Sequence, residues 1–544
     1  MRAMRTCGEV LVEILESYGI DTVFGIPGVH TVELYRGLPN TGIRHITPRH
    51  EQGAGFMADG YARASGRPAA CVIISGPGMT NIVTAMGQAY ADSIPMLVIS
   101  SVNNTHELGL GEGRLHELPD QQALVSGVSV FSHSVLRAAE LPSVLARAFA
   151  VFDSARPGPV HIQLPLDVIT ASGEDLERVA HRTRTRPGPD PRSVERAAEL
   201  LGAAEAPFVV LGGGTADAAD RARALVERLG APVALTVNAK GVLPPGHPLS
   251  LGSLLPQAPV LEALQSADVV LAVGTELSET DTLLFYSRLK LSGKLIRIDI
   301  EAEQLIRNAL PEVALCCDAG LAMAALDDAL AGGQPGRAGG QAVDQTAAQA
   351  RVAALRAEAT ASLPAAYRTH GRFLDAVAEA LPGAIIVGDS TQPVYGGNLT
   401  YEPAGPRSYF NSATGYGTLG YGLPAAFGAK LARPDRPVVA LIGDGGIQFT
   451  IGELASAVEL GLPVPVLVWN NRGYGEIKQY MADRDIPQIG VDIYTPDFQA
   501  IARGFGCHAV TAENLAHLAD TLGSAVRADR PTVIEIDEAA ALAW

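Results

Sequence analysis

The chain is punctuated by short, almost wholly apolar runs rich in β-branched residues. They fall at 70–74, 96–99, 160–164, 208–211, 269–273, 438–442, 464–469 and 533–536, most of them bounded closely by glycine or proline. Runs this short with no polar alternation are the mark of strands buried on both faces of a parallel sheet. Helical periodicity fills the intervals. At the start, Thr6 and Glu9 form a capping box, and Leu11, Ile14, Leu15 and Tyr18 then fall on one face. Strand and helix alternate throughout, so the class is α/β, built from doubly wound parallel sheets.

At 544 residues the chain is long enough for three or four domains of about 150 residues each. Two stretches break the strand–helix rhythm: 171–192, rich in arginine and proline, and 332–349, of low complexity. Read as linkers, they divide the chain into units at 1–180, 190–335 and 350–544, with no sequence repeat visible among them. With 47% hydrophobic and 18% charged residues, each unit can build a packed core. The net charge of −17 argues against nucleic acid or an anionic membrane as the main partner. Five scattered cysteines without CxxC spacing support neither a disulfide framework nor a zinc site. Glu9, Glu13 and Glu16 stand where a signal peptide needs an apolar run, and no stretch is apolar enough to span a bilayer. A cytoplasmic protein is expected.

The third unit carries the most specific pattern. The run at 438–442 leads into Gly443-Asp444-Gly445-Gly446, and the run at 464–469 ends in Asn470-Asn471, with 24 residues between Gly445 and Asn470. Strand, helix and strand return the chain to the same edge of a parallel sheet, which sets Asp444 and Asn471 side by side at strand C-termini. A carboxylate and an amide oxygen are hard ligands suited to Mg²⁺ or Ca²⁺, and the amides of Gly445 and Gly446 can donate to phosphate. The intervening helix is expected to start at Thr450, capped by a box with Glu453.

These residues resemble the thiamine-diphosphate-dependent enzymes of the acetolactate synthase-like family, and the likeness extends along essentially the whole chain. It implies pyrimidine-binding, central and diphosphate-binding domains in that order. It assigns the metal to Asp444, Asn471 and the Gly473 carbonyl. The block Arg49-His50-Glu51-Gln52 with Ala58–Arg63 matches the family's RHEQ…ADGYAR, making Glu51 the residue that touches the pyrimidine ring nitrogen. Pro27-Gly28 and Ser75-Gly76-Pro77-Gly78 with Asn81 resemble the loops beside that ring. The segment 415–424 resembles the GxGTMGxGLPAA block, in which the Gly417 carbonyl accepts from the cofactor amino group and Leu419, here replacing methionine, supports the thiazolium ring. Ser390, Thr391 and Gln392, after Asp389, stand where the family binds diphosphate.

The resemblance also implies the chemistry. The activated cofactor adds to a 2-oxo acid and holds the electrons left by departing CO₂. Protonation then yields an aldehyde, whereas addition to a second carbonyl compound yields a hydroxyketone. In the family the cofactor lies between two subunits, so a homodimer is the smallest active unit and a homotetramer is common. Flavin is not expected: the segment after the 269–273 run reads Gly274-Thr275-Glu276-Leu277-Ser278-Glu279-Thr280-Asp281, acidic where flavin-binding relatives are cationic. The Gly212-Gly213-Gly214 turn reads as structural.

The substrate side departs from the acetolactate synthases. His30 follows the Pro27-Gly28 turn, and His116 replaces a glutamine, so each histidine is a candidate proton donor near neutrality. Gln121, in the same block, is a candidate substrate contact facing the pocket. Glu476 replaces an apolar residue over the substrate, and Tyr480 stands where those enzymes carry tryptophan. A carboxylate in the pocket suits a cationic tail, above all a guanidinium. The segments 25–38, 49–66 and 113–124 also resemble the 5-guanidino-2-oxopentanoate decarboxylases of arginine catabolism. Decarboxylation of that 2-oxo acid is therefore the leading expectation. An acetolactate synthase-like carboligase is the alternative, and a non-catalytic relative would have no need of Glu51, Asp444 and Asn471 together.

Overall fold

All eight apolar runs are strands. In the computed structural model, which describes residues 5–182, 185–332 and 344–544, each coincides with a strand to within a residue, except that the run at 96–99 continues to Val102. The first sheet holds β1 (Thr22–Phe24), β2 (Arg44–Ile46), β3 (Ala69–Ile73), β4 (Met96–Val102), β5 (Phe131–Ser134) and β6 (Pro159–Pro165) in the order β2-β1-β3-β4-β6-β5. The second holds β7 (Pro207–Leu211), β8 (Val233–Leu235), β9 (Val269–Val273), β10 (Lys294–Asp299) and β11 (Val313–Cys316) in the order β11-β10-β9-β7-β8. The third holds β12 (Ile385–Gly388), β13 (Tyr409–Asn411), β14 (Val438–Gly443), β15 (Pro465–Asn470), β16 (His508–Thr511) and β17 (Thr532–Asp537) in the order β13-β12-β14-β15-β17-β16. The fold is thus α/β, with three parallel-sheet domains. The strands that read as wholly apolar, such as β3, β4 and β14, are buried at every residue.

The first and third sheets share one topology. Counted within each sheet, both run second, first, third, fourth, sixth, fifth, a repeat that their sequences do not show. In each, the chain leaves its first strand toward one edge and its third strand toward the other. The loops after β1 and β3, and after β12 and β14, therefore diverge around a crevice, the usual place for a ligand in such sheets.

The opening capping box is present: Thr6 Oγ1 accepts from the Glu9 amide at 3.2 Å, and the Glu9 carboxylate accepts from the Thr6 amide at 2.8 Å. Both described ends of the expected 332–349 linker are helical or cap a helix. Gly332 closes the helix Ala319–Gly332, and the Asp344 side chain caps the helix Gln345–Ala361; residues 333–343 lie outside the described residues. Two compact units result. One comprises the chain as far as Thr185 with Ile385–Thr391 and Asn411–Ala541; the other comprises Arg186–Ala384, Gln392–Phe410 and Leu542–Trp544.

Candidate functional site

At the switch point of the first sheet, the loop after β1 carries Pro27, Gly28 and His30, and the loop after β3 carries Ser75, Gly76 and Pro77. The two loops touch: His30 Nδ1 lies 2.9 Å from Ser75 Oγ. Glu51 opens the helix Glu51–Ser65, and one of its oxygens accepts from Asn81 Nδ2 at 2.9 Å. Asn81 lies on the first turns of the helix Pro77–Ala91, so the Glu51 carboxylate is oriented toward the β3 exit. Gly76 holds φ 68° and ψ −114° against the backbone of His116, a conformation suited to glycine. His116 is itself in the left-handed region at φ 60°, unusual for a residue with a Cβ. Its ring stands edge-on to His30, with centroids 5.0 Å apart, and its buried Nδ1 has no hydrogen-bond partner among the described residues. Burial, and then the neighbouring His116, lowers the pKa of His30.

Gln121 is buried beneath this crevice. Its Oε1 accepts from the Gly76 amide at 3.2 Å, while Nε2 lies 3.0 Å from each of Ser100 Oγ, the Ser101 carbonyl and Gln163 Oε1. The side chain read from sequence as facing substrate braces the Gly76 turn.

At the switch point of the third sheet, Asp389 follows β12 and is fully buried. It accepts from the Ser390 amide at 2.7 Å and the Gly422 amide at 3.0 Å. Burial raises its pKa to about 6, against the lowering effect of those amides. Thr391 abuts Gly443, and Ser390 Oγ lies 3.3 Å from Ser412 Oγ. Gln392 opens the helix Gln392–Thr400.

Asp444 and Asn471 follow the neighbouring strands β14 and β15, which pair with Gly443 opposite Trp469. The outer amide atom of Asn471 lies 3.2 Å from Asp444 Oδ1 and 2.8 Å from the Gly473 carbonyl. With the amide oxygen in that place, Asn471 Nδ2 faces Glu538 Oε2 at 3.5 Å, and three oxygens converge with no proton among them. A hard divalent cation resolves such a cluster; without one, turning the amide does so. The donor set is one carboxylate, one amide and one carbonyl, and it fits Mg²⁺. Burial raises the Asp444 pKa, opposed by surrounding amides. Thr495, 3.4 Å from Asp444 Oδ2, and Glu538 both border this set, and no sequence signal marks either.

The helix after the Gly443–Gly446 turn departs from expectation. A short helix, Asp444–Ile447, comes first, and the next, Glu453–Glu459, starts after Gly452 without a side-chain cap. Thr450 Oγ1 instead donates to the Gly420 carbonyl at 2.7 Å. The Glu453 carboxylate accepts from the amides of Arg49 and His50. The expected capping box is absent because both side chains have tertiary partners.

Gly417, at φ 76°, has open space where a Cβ would stand, and Leu419 is half-buried beside it. Glu476 is exposed in the first turn of the helix Gly475–Ala482. The cations flanking it in sequence pair with other acids: Lys478 with Asp492 at 2.5 Å and Arg472 with Asp537 at 3.4 Å. The exposed ring of Tyr480 carries the Arg484 guanidinium, 3.5 Å from its centroid. In the central sheet, Gly212 and Gly214 pack against the backbone of Gly274, so those glycines answer a close strand-exit contact.

Three family models match in chain order. The N-terminal TPP binding domain of thiamine pyrophosphate enzymes covers residues 5–124, the central domain 194–326, and the C-terminal TPP binding domain 389–536. The chain is 48% identical to a probable 2-ketoarginine decarboxylase of Pseudomonas aeruginosa, over 98% of this chain and 94% of that protein. It is 34% identical to the acetolactate synthase isozyme 1 large subunit of Escherichia coli, over 98% and 93%. With a probable chloroplastic acetolactate synthase 2 of Oryza sativa it shares 31%, over 98% and 83%. Two crevices of matching topology, one offering an oriented glutamate and the other an oxygen cluster suited to a cation, together with these matches along the chain, place the protein in the thiamine pyrophosphate enzyme family.

Proposed function

We propose that the protein is a thiamine-diphosphate- and Mg²⁺-dependent decarboxylase that converts a 2-oxo acid to an aldehyde and CO₂. The substrate in this reading is 5-guanidino-2-oxopentanoate (2-ketoarginine), and the product is 4-guanidinobutanal. The observation that carries it is the 48% identity, over nearly the full length of both chains, to a probable 2-ketoarginine decarboxylase. The carboxylate of Glu476 supports it as the partner for a cationic tail.

Bound thiamine diphosphate supplies a carbon centre that accepts the electrons released as CO₂ leaves. Glu51, held by Asn81, presents an oxygen to the pyrimidine ring nitrogen. Pro27, Pro77 and Asn81 would line that ring, and the Gly417 carbonyl and Leu419 would also meet the cofactor. Ser390, Thr391, Gln392, Gly445 and Gly446 receive the diphosphate, while Asp444, Asn471 and the Gly473 carbonyl hold the cation. Either His30 or His116 supplies the proton that completes the aldehyde. His116 offers an unengaged Nδ1, whereas His30 has its Nδ1 tied to Ser75. Glu476 and Tyr480 meet the substrate tail, and Gln121 acts on the crevice from beneath, through Gly76.

The domain reading is 1–180 for pyrimidine binding, 190–335 for the central domain and 350–544 for diphosphate and metal. Flavin has no part in it, in keeping with the acidic segment after β9. The active assembly is read as a homodimer at the least, and as a homotetramer, in the cytoplasm. Seven residues of helix, about 10 Å, separate Asn81, which holds Glu51, from Gln88, which meets the Gly417 turn. That spacing supports a site completed by a second copy.

The test is CO₂ release with mass-spectrometric identification of products, with thiamine diphosphate, Mg²⁺ and either 5-guanidino-2-oxopentanoate or pyruvate. Faster turnover of the guanidino acid to its aldehyde is expected. Acetolactate formed from pyruvate alone would replace this reading with the carboligase.

A further inference from the structure

The segment from Thr414 to Tyr421 is pinned at three points to the helix Glu51–Ser65 and to the helix Pro77–Ala91 with its C-cap, Asp92. Thr414 Oγ1 lies 2.9 and 3.0 Å from the two carboxylate oxygens of Asp92. The Thr418 amide donates to Gln88 Oε1 at 3.3 Å, and the Tyr421 hydroxyl donates to Asp59 Oδ1 at 2.5 Å. Behind these anchors Arg63 bridges both acids, 2.6 Å from Asp59 Oδ1 and 2.6 Å from Asp92 Oδ2. Asp59, Arg63, Gln88 and Tyr421 are all buried. The frame beneath is close-packed: a Cβ at Gly60 would strike the Ala425 carbonyl, and one at Gly428 would strike the Met57 carbonyl.

The orientation of the Gln88 amide is not free. Nε2 donates to Asp92 Oδ2 at 2.6 Å, which turns Oε1 toward the Thr418 amide. That N–H belongs to the same peptide unit as the Gly417 carbonyl. In a planar trans peptide the C=O and N–H point in opposite directions, so a bond that fixes one aims the other. Glycine at φ 76° would otherwise leave this peptide free to rotate.

We propose that Gln88 is a positioning residue: by accepting the Thr418 N–H it sets the plane of the Gly417–Thr418 peptide and aims the Gly417 carbonyl at the amino group of the cofactor pyrimidine. Asp92 and Arg63 set the Gln88 amide in turn. The role rests on the proposed binding of thiamine diphosphate at this turn, and it falls to Gln88, which neither the motifs nor the family resemblance marks.

The test compares two ligands on the Mg²⁺-loaded full-length protein: thiamine diphosphate and its analogue lacking the pyrimidine amino group. Gln88→Met removes the acceptor at nearly constant volume. It should weaken thiamine diphosphate about tenfold, in line with one lost hydrogen bond, and leave the affinity for the deaminated analogue unchanged. Equal loss for both ligands, or loss for neither, overturns the role of Gln88 while leaving the cofactor assignment intact. Wild-type protein that binds no thiamine diphosphate overturns the cofactor assignment itself. A measurement independent of any variant is hydrogen exchange at the Thr418 amide of the unloaded wild type. Slow exchange is expected; exchange at the rate of a free peptide overturns the proposal.

Discussion

Glu453 Oε1 lies 3.0 Å from the backbone nitrogen of His50, the residue that caps the helix beginning at Glu51. The same carboxylate accepts from the Arg49 amide at 3.0 and 3.1 Å and from Ser456 Oγ at 2.7 Å. A buried acid from the C-terminal part of the chain thus satisfies amides that enter the N-terminal helix carrying the proposed catalytic glutamate. Removing it in Glu453→Ala leaves two part-buried amide donors without their acceptor and should cost about 2 kcal/mol of stability, read from urea unfolding. A Cβ at Gly53 would collide with that carboxylate, so Gly53→Ala should also destabilise. The double variant should then be more stable than the sum of the single losses, since the smaller side chain leaves room for the methyl group. Additive losses would show that the two residues do not share this contact.

Glu51→Gln should retain thiamine diphosphate, because the remaining contacts are unchanged, while turnover falls at least about 100-fold. Asn81→Leu removes only the bond that orients the carboxylate and should cost less, about tenfold in kcat with KM little changed. The comparison requires cofactor binding and steady-state turnover on the same preparations. Equal turnover in Glu51→Gln and wild type would remove Glu51 from the mechanism.

The legibility of this chain in its sequence follows from how local each feature is. Buried parallel strands show as apolar runs because every side chain meets protein, and so β3, β9 and β14 were readable. Edge strands such as β2 and β16 carry exposed or half-buried residues and leave no such mark. The pairing of Asp444 with Asn471 was readable because one strand–helix–strand unit fixes it. The matching order of the first and third sheets was not, since topology survives where side-chain identity has changed. Thr450 and Glu453 form a capping box by spacing, yet both are taken by distant partners that no local window contains. Asp59 and Arg63 stand at i and i+4, a spacing that suggests an ion pair; that Asp92 and Gln88 complete the network depends on a helix crossing that appears only in three dimensions.

Metal removal tests the oxygen cluster. Chelation should abolish turnover, and Mg²⁺ should restore it. Together, saturating Mg²⁺ and thiamine diphosphate should stabilise the wild type by about 2.7 kcal/mol at a hundredfold excess over Kd. Asp444→Asn lacks the charge that recruits the cation, and its melting temperature should not respond to the same additions. A full response in Asp444→Asn would place the cation elsewhere.

His161 gives an acid limit that is independent of catalysis. It is buried on β6 between Ser100 Oγ at 2.8 Å and Ser132 Oγ at 2.7 Å, and burial lowers its pKa from 6.5 to about 3. The unfolded chain therefore binds a proton below pH 6.5 that the folded chain refuses until about pH 3. The stability associated with the neutral ring is complete above pH 6.5 and declines as the pH falls through that window, by up to about 1.4 kcal/mol per pH unit. His161→Gln should show a shallower decline in unfolding free energy between pH 6.5 and pH 5. An unchanged slope would assign the acid sensitivity to other groups.

The substrate assignment is tested by Glu476→Gln. A charge-assisted contact to a guanidinium contributes about 1.5–3 kcal/mol, so kcat/KM for 5-guanidino-2-oxopentanoate should fall roughly 10- to 150-fold. For a 2-oxo acid of similar length with an uncharged tail it should hold or rise, since the charge at Glu476 no longer opposes an apolar group. The ratio of the two is the informative quantity, because damage to the shared chemistry cancels within it. In the proposed reading Tyr480 is a second contact for the tail: its exposed ring stacks a planar cation in the structure, the Arg484 guanidinium. Tyr480→Leu should therefore raise KM for the guanidino acid more than for the neutral one while leaving kcat nearly unchanged. A specificity ratio that moves in neither variant would locate tail recognition outside the helix Gly475–Ala482.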